Sequence, residues 1–243
     1  MHRFANPAQF NRLADAIMPW AMVATILLFG AGLYYAFVGS PPDYQQGESV
    51  RVMYVHVPAA WMGMFVYVVM AVASFVALAW RHPLALLAGK AAAPIGATFT
   101  ALALITGALW GKPMWGTYWV WDGRLTSVLV QFFLYLGYMA LWKSMEDEEK
   151  AGNAASILAL VGLVNIPIIK FSVDWWSTLH QPASVMRLDG PTIDGAMLVP
   201  LFLMAAAYQV YFIVVFIWRM KFEINNRKLS VMRSAGLENQ DEH

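Results

Sequence analysis

The sequence has no cysteine and few charged residues, and both shortages limit what the protein can be. None of the 243 residues is cysteine, which excludes disulfides, thiolate metal sites and the Cys-x-x-Cys-His attachment of covalently bound haem. Only 13% of the residues are charged and 60% are hydrophobic, whereas soluble domains carry about a quarter charged residues. The composition therefore predicts an integral membrane protein.

Six apolar stretches are suited to cross a bilayer as helices, which requires about 20 residues each. They cover residues 18–38, 57–79, 91–110, 125–142, 154–171 and 196–218. We therefore predict an all-α integral membrane protein, in which residues 1–243 form a single polytopic domain of six transmembrane helices. The first stretch is expected to be a retained helix and not a cleaved signal.

The distribution of lysine and arginine predicts the orientation of these helices. Of the 16 basic residues, eleven fall on one side of the predicted membrane, and five fall on the other, namely Arg51, Lys112, Arg124, Lys170 and Arg187. Because basic residues concentrate in cytoplasmic segments, both termini are predicted to be cytoplasmic, including a polar tail at 219–243. Three loops then lie on the outer side of the membrane, at 39–56, 111–124 and 172–195.

The middle outer loop has an unusual concentration of aromatic side chains. Residues 115–126 read Trp-Gly-Thr-Tyr-Trp-Val-Trp-Asp-Gly-Arg-Leu-Thr, and Trp110 lies just upstream. Tryptophan is common at membrane interfaces, but there it is spread over all helix ends. So many rings beside Asp122 and Arg124 favour a surface for a large planar ligand. The alternatives are that the rings are interface anchors and that Asp122 only caps the fourth helix.

Two histidines, His56 and His180, lie in the outer loops on either side of this aromatic loop. Neutral imidazole binds haem iron well, so a pair could coordinate the iron from both faces. The tryptophans would then cover the porphyrin, and Lys112, Arg124 and Arg187 are the cations able to meet its propionates. A single interfacial histidine is more often structural, so the residues alone indicate only a polytopic protein with an outward-facing aromatic site.

Other kinds of site have little support in the sequence. It contains no glycine-rich phosphate loop, no His-Glu-x-x-His pair and no nucleophile elbow. Ionisable residues are scarce inside the six apolar stretches, which argues against a proton-coupled transporter.

Residues 115–126 resemble the signature of the tryptophan-rich WWD family of haem-handling membrane proteins. That signature runs approximately Trp-Gly-x-x-Trp-x-Trp-Asp-x-Arg-Leu-Thr, and this sequence matches it throughout, with Tyr118 where tryptophan is common in the family. The length, the six predicted helices and the histidine in each flanking loop resemble the short members that act in bacterial cytochrome c maturation.

The resemblance implies a function that topology cannot supply. Such a protein binds haem b non-covalently at the periplasmic face of the bacterial inner membrane and delivers it to a periplasmic haem chaperone, CcmE. His56 and His180 match the axial ligands of the haem iron. The haem-contacting platform corresponds to the Trp-rich loop, which contains Trp115, Tyr118, Trp119, Trp121, Asp122 and Arg124.

The resemblance also implies protein partners. They are the small single-span subunit CcmD and the ATP-binding-cassette subunits CcmA and CcmB; no nucleic acid is expected to bind. In this role the chain is a scaffold that positions haem, and not an enzyme.

Two other functions remain as alternatives. A membrane electron-transfer cytochrome b would be expected to carry histidines in the middle of its helices, and none of the five histidines here is predicted to lie there. A haem transporter or permease subunit would need a polar or aromatic path from the inner side, and the sequence indicates a platform on the outer side alone.

Overall fold

Every regular element in the computed structural model, which describes residues 6–182, 184–185, 187 and 189–241, is helical. Six helical segments are long and apolar enough to cross a membrane, which confirms the predicted all-α, six-helix architecture. The helices are α1 (Pro7–Tyr34, continued by a π-helical turn, Tyr35–Gly39), α2 (Met53–Trp80, preceded by a 3-10 turn, Glu48–Val52), α3 (Pro83–Trp115), α4 (Gly123–Ser144), α5 (Glu148–Gly162), α6 (Asn165–Trp175) and α7 (Gly195–Asp241). Helices α5 and α6 together form the fifth membrane-spanning segment.

The helices extend beyond the apolar stretches of the sequence. Helix α3 continues to Trp115 and α4 begins at Gly123, so the connection between them is 116–122 and not the whole of 111–124. The predicted tail at 219–243 is helical as far as Asp241. Local signals set these ends: Gly116 adopts a left-handed conformation (φ 76°) that stops α3, whereas no proline follows Pro200 to interrupt α7.

Helices α2 and α3 form the centre of the bundle. They are joined by a short turn at Arg81 and His82 and pack against each other along their length. Helices α5 and α7 also contact α2, while α4 and α7 contact α3. Helix α1 packs chiefly on α7. Only 11% of the residues in the most apolar part of this first span are buried, so α1 lies at the edge of the bundle.

Buried hydrogen bonds tie α4 to α2 and α6. The Gly63 carbonyl of α2 accepts bonds from Gln131 Nε2 (2.7 Å) and from the Tyr135 hydroxyl (2.8 Å), both on α4. Asn165 Nδ2 of α6 donates to the Ser127 carbonyl at 2.8 Å. Because lipid offers no alternative partners for polar groups, such bonds hold helices in a defined register. The start of α4 and the start of α2 lie at the same end of the bundle, where His56 and Arg124 line one cavity.

Candidate functional site

A cavity opens at the end of the bundle that carries residues 115–122, the last residue of α3 and the segment leading to α4, here called the Trp-rich connection. Its empty volume, which includes space open to solvent, is about 670 Å³. Helices α2, α3 and α4, the Trp-rich connection and the loop after α6 all contribute to its lining. Away from the Trp-rich connection the lining includes Gly63 and Met64 of α2, Thr100 of α3 and Gln131 of α4. The lining spans seven or eight residues of α2 and α4, or about 12 Å, and fifteen residues of α3, or about 22 Å.

His56 lies in the first turn of α2 and lines this cavity. Its Nδ1 is 3.0 Å from the Ala103 carbonyl oxygen and 3.2 Å from Thr106 Oγ1, both on α3. The Thr106 hydroxyl donates to the Leu102 carbonyl at 2.6 Å, so it can accept a bond from the imidazole. Because a carbonyl only accepts, Nδ1 carries the proton in the neutral ring, and the lone pair of Nε2 remains free to bind a ligand.

Two neighbours on α3 shape the space around His56. A Cβ added to Gly107 would lie 2.8 Å from His56 Cε1, so only glycine leaves room for the imidazole in this position. Trp110 packs edge-on against the imidazole, with ring centroids 5.7 Å apart. The Trp110 indole N–H is held in turn by Gln46 Oε1 at 3.0 Å. The orientation of His56 is therefore fixed by packing as well as by hydrogen bonds.

His180 lies in the loop between α6 and α7 and lines the same cavity. Its Nδ1 is 3.7 Å from Asp122 Oδ2, too long for a hydrogen bond, and this buried nitrogen has no other hydrogen-bond partner among the described residues. The Trp115 ring packs edge-on against it at 5.0 Å. Burial lowers the pKa of His180, and the charge of Asp122 opposes this only partly, so the imidazole is neutral at neutral pH.

Asp122 connects the start of α4 to the His180 loop. Its Oδ1 accepts the Leu125 backbone N–H at 2.7 Å, which caps α4. Its other carboxylate oxygen accepts the Thr178 hydroxyl, and the Thr178 oxygen accepts the His180 backbone N–H at 3.1 Å. The capping function and a site function of Asp122 are thus compatible, because each uses a different carboxylate oxygen.

The aromatic residues of the Trp-rich connection divide into two groups. Trp115 and Trp119 line the cavity, whereas Trp121 and Tyr118 are on the surface, 78% and 56% exposed. Trp121 packs edge-on against Trp119 with centroids 5.5 Å apart. The Lys112 ammonium lies 5.2 Å from the centre of the Tyr118 ring. The structure therefore brings two of the four predicted rings into the cavity and leaves two on its outer side.

Of the three basic residues considered for a propionate, Arg124 is the one that lines the described cavity. Its Nε donates to Ser172 Oγ at 2.8 Å, which anchors the guanidinium to α6. The Lys112 ammonium donates to the Gly116 carbonyl at 2.9 Å. Arg187 is exposed and paired with Asp189 through its Nε at 2.8 Å, so both Lys112 and Arg187 are engaged elsewhere.

The sequence reasoning missed several residues that shape this site. Gln131 is only 2% exposed and lines the cavity, and its Oε1 has no partner in the described part of the chain. Its position could have been predicted from the sequence, because Gln131 follows Arg124 by seven residues and therefore lies on the same face of α4. Gly107, Ser172 and Thr178 carry no comparable signal, since each acts through a contact between distant parts of the chain.

Comparison with known proteins identifies the family. The sequence matches the family described as CcmC, Heme exporter protein C, over residues 1–235. It is 55% identical over 225 residues to Heme exporter protein C of Bradyrhizobium diazoefficiens, covering 93% of this chain and 85% of the relative. The protein of the same name from Escherichia coli strain K12 is 50% identical over 201 residues (83% and 81%), and that of Paracoccus denitrificans is 41% identical over 230 residues (94% and 95%). The chain therefore belongs to the CcmC family of heme exporter proteins.

Proposed function

We propose that this protein binds haem b non-covalently at the periplasmic face of the bacterial inner membrane and delivers it to the haem chaperone CcmE during c-type cytochrome biogenesis. The observation that carries the proposal is that His56 and His180, from separate segments, line one cavity together with Trp115 and Trp119. Membership of a family whose relatives are named Heme exporter protein C supports haem as the cargo.

The two histidines are assigned as axial ligands of the haem iron. Metal-binding histidines usually donate the second ring N–H to a carbonyl or carboxylate, which fixes the tautomer. His56 has such a partner in the Ala103 carbonyl at 3.0 Å. For His180 the corresponding group is Asp122, whose carboxylate is 3.7 Å from Nδ1. A small movement of the His180 loop on haem binding would close that gap to a hydrogen bond. In both histidines Nε2 is then the nitrogen that binds iron.

The remaining residues of the matched motif contact the porphyrin in different ways. Trp115 and Trp119 pack against its faces or edges within the cavity, because flat rings stack well on a flat macrocycle. Arg124, held by Ser172, offsets the charge of a propionate. Trp121 and Tyr118 remain on the exposed side, where they are placed to meet the chaperone while the vinyl edge of the haem faces outward.

The orientation and partners follow from the same proposal. Basic residues concentrate at the end of the bundle opposite the cavity, which supports a cytoplasmic location for that end and for both termini. The cavity then faces the periplasm, where CcmE would receive haem. CcmD, CcmA and CcmB complete the proposed assembly. The chain itself acts as a scaffold that orients haem, and not as an enzyme.

The depth of the cavity bears on the alternative of a haem permease. On α2 and α4 the lining extends seven or eight residues, or about 12 Å, from His56 to Met64 and from Arg124 to Gln131, whereas the hydrocarbon core of a bilayer is about 30 Å thick. This depth suits a site that holds haem near one face better than a path across the membrane. Uptake of labelled haem into vesicles that contain this chain alone would favour the permease.

Optical spectra of histidine variants test the ligand assignment. The purified chain is titrated with haem, and oxidised and reduced spectra are recorded for wild type, His56→Gly and His180→Gly, with and without imidazole. We expect a six-coordinate b-type spectrum that is altered in each variant and restored by imidazole. His82→Gly is the matched control, because His82 caps α3 at the other end of the bundle, where its Nδ1 accepts the Ala85 N–H at 3.2 Å. Spectra of both site variants that match wild type would overturn the assignment.

Transfer to the chaperone requires a separate measurement. Haem-loaded wild type is mixed with purified CcmE, and the haem that becomes attached to CcmE is measured over time. We expect transfer from wild type. A stable, redox-cycling haem that never reaches CcmE would instead favour an electron-transfer cytochrome b.

A further inference from the structure

A second cleft lies between α1 and α3, away from the histidine cavity. It contains about 860 Å³ of empty space and is open along one side. Its floor is one face of α7, from Tyr208 through Tyr211 and Val215 to Arg219, and its wall is the α3 segment from Pro94 to Leu102. Helices α1 and α3 both pack on α7 but have little contact with each other, which leaves this space between them.

The two ends of the cleft differ in chemistry. At one end four rings close it: Phe29 and Phe99 both pack against Tyr208, at 5.5 and 5.4 Å, and both also approach Tyr211. At the other end is Arg219, the first charged residue after the apolar stretch at 196–218. From Tyr208 to Arg219 is eleven residues of helix, or about 16 Å. An apolar channel of this length ending at an interfacial cation matches an acyl chain with its headgroup.

The charge around Arg219 is not balanced. Glu223 is buried, only 3% exposed, and its carboxylate pairs with both Arg219 (2.9 Å) and Lys90 (3.0 Å). Two cations therefore share one anion. Arg219 Nε is also buried without a hydrogen-bond partner among the described residues. The Arg219 side chain lines the cleft and is 36% exposed, so the surplus positive charge is placed to complement a phosphate group.

The shape of the cleft favours a lipid over a neighbouring transmembrane helix. Helices pack closely in membranes where small residues let their backbones approach. The floor and wall here present large side chains, among them Phe99, Tyr208 and Tyr211. A narrow, flexible chain can pass between such side chains, whereas a helix about 10 Å wide cannot.

We propose that this cleft binds one anionic phospholipid, with an acyl chain between α1 and α3 and the headgroup phosphate at Arg219. The site lies at the membrane face opposite the Trp-rich connection and does not depend on haem. Basic pockets between transmembrane helices are suited to anionic headgroups, and here the aromatic residues add a defined place for the chain.

Native mass spectrometry of the purified full-length chain with added lipids tests the proposal. We expect one phosphatidylglycerol per chain to remain bound, with weaker retention of phosphatidylcholine. Arg219→Gln should reduce phosphatidylglycerol binding about tenfold or more, the loss expected for one charge-assisted hydrogen bond. Glu223 keeps its pair with Lys90 in this variant, so the helices stay tied. Arg227→Gln, the same charge change at an exposed position of α7, is the control.

A second variant tests the acyl chain separately. Val215→Trp fills the cleft without changing its charge and should also reduce lipid retention, whereas Val199→Trp, at an exposed position of α7, should not. Equal retention by all four variants, or equal binding of both lipids, would contradict the proposal. So would displacement of the lipid by free glycerol phosphate at equal concentration, which would indicate an ion site alone.

Crosslinking in native membranes distinguishes a lipid from a protein occupant. A photoreactive residue in place of Thr98, which lines the cleft, should give a lipid adduct. A polypeptide adduct would assign the cleft to a neighbouring helix and refute lipid binding.

Discussion

Replacing Asp122 by asparagine separates its two structural roles. Asparagine caps helices about as well as aspartate, so the substituted side chain should still accept the Leu125 N–H that Asp122 holds at 2.7 Å. The Thr178 hydroxyl can donate or accept, so it can pair with either end of the new amide. What the substitution removes is the negative charge beside His180 Nδ1.

The expected magnitude follows from the role of a carboxylate behind a metal-binding histidine. Loss of such a group typically lowers metal affinity about 10–100-fold, which corresponds to about 1.4–2.8 kcal/mol. Stability should change by no more than about 0.5 kcal/mol because the cap is kept. Asp122→Ala should lose the same affinity and also about 1 kcal/mol of stability, since it removes the cap.

Haem titration and thermal unfolding of the same preparations measure the two effects. Asp147→Asn is the matched control, because Asp147 caps α5 through the Glu149 and Lys150 N–H groups (3.0 and 3.1 Å) far from the cavity. It should leave both quantities unchanged. The reasoning would fail if the haem affinity of Asp122→Asn were within about threefold of wild type while His180→Gly lost haem binding. The carboxylate would then have no part in orienting His180.

Three further predictions concern the cavity. Gly107→Ala places a methyl group 2.8 Å from the α2 histidine and should cost about 1–3 kcal/mol in overpacking, with a shifted haem spectrum; an unchanged spectrum would show that the imidazole is not confined. Arg124→Gln should weaken haem binding several-fold in titrations while Arg187→Gln, whose guanidinium is paired with a neighbouring carboxylate, should not; the reverse order would reassign the propionate cation. Trp119→Ala should lower haem affinity, whereas Trp121→Ala, at an exposed ring, should slow transfer to CcmE with little change in affinity; equal loss of affinity in both would mean that the exposed ring also holds haem.

The architecture was predictable from the sequence because hydropathy reports directly on membrane-spanning helices. The six apolar stretches correspond to the six spanning segments, but their ends do not, since caps such as Gly116 act independently of hydropathy. The extension of α7 to Asp241 shows the same limit: a polar sequence without proline can continue a helix beyond the apolar segment.

The composition of the candidate site was less predictable than its location. The sequence indicated that the two histidines and the tryptophans lie near one another. In the structure one cavity is lined by His56, His180, Trp115 and Trp119. It could not separate Trp119 from Trp121, because a connection without helical periodicity gives no rule for which side chain faces inward. Nor could it reveal that Arg187 is paired, since that depends on the local fold of the loop.

The two histidines are held by supports of very different stiffness. His56 is fixed in a helix at the centre of the bundle and anchored to the backbone of α3, whereas His180 belongs to an irregular loop linked to α4 through Thr178 and Asp122. If both histidines bind the haem iron as proposed, small displacements of that loop would break one iron bond and leave the other intact. We therefore expect haem to leave through a five-coordinate intermediate on His56, with the vacated face of the iron available to an incoming ligand. Substitution of Thr178 should therefore change the rate at which haem dissociates, and not the rate at which haem binds.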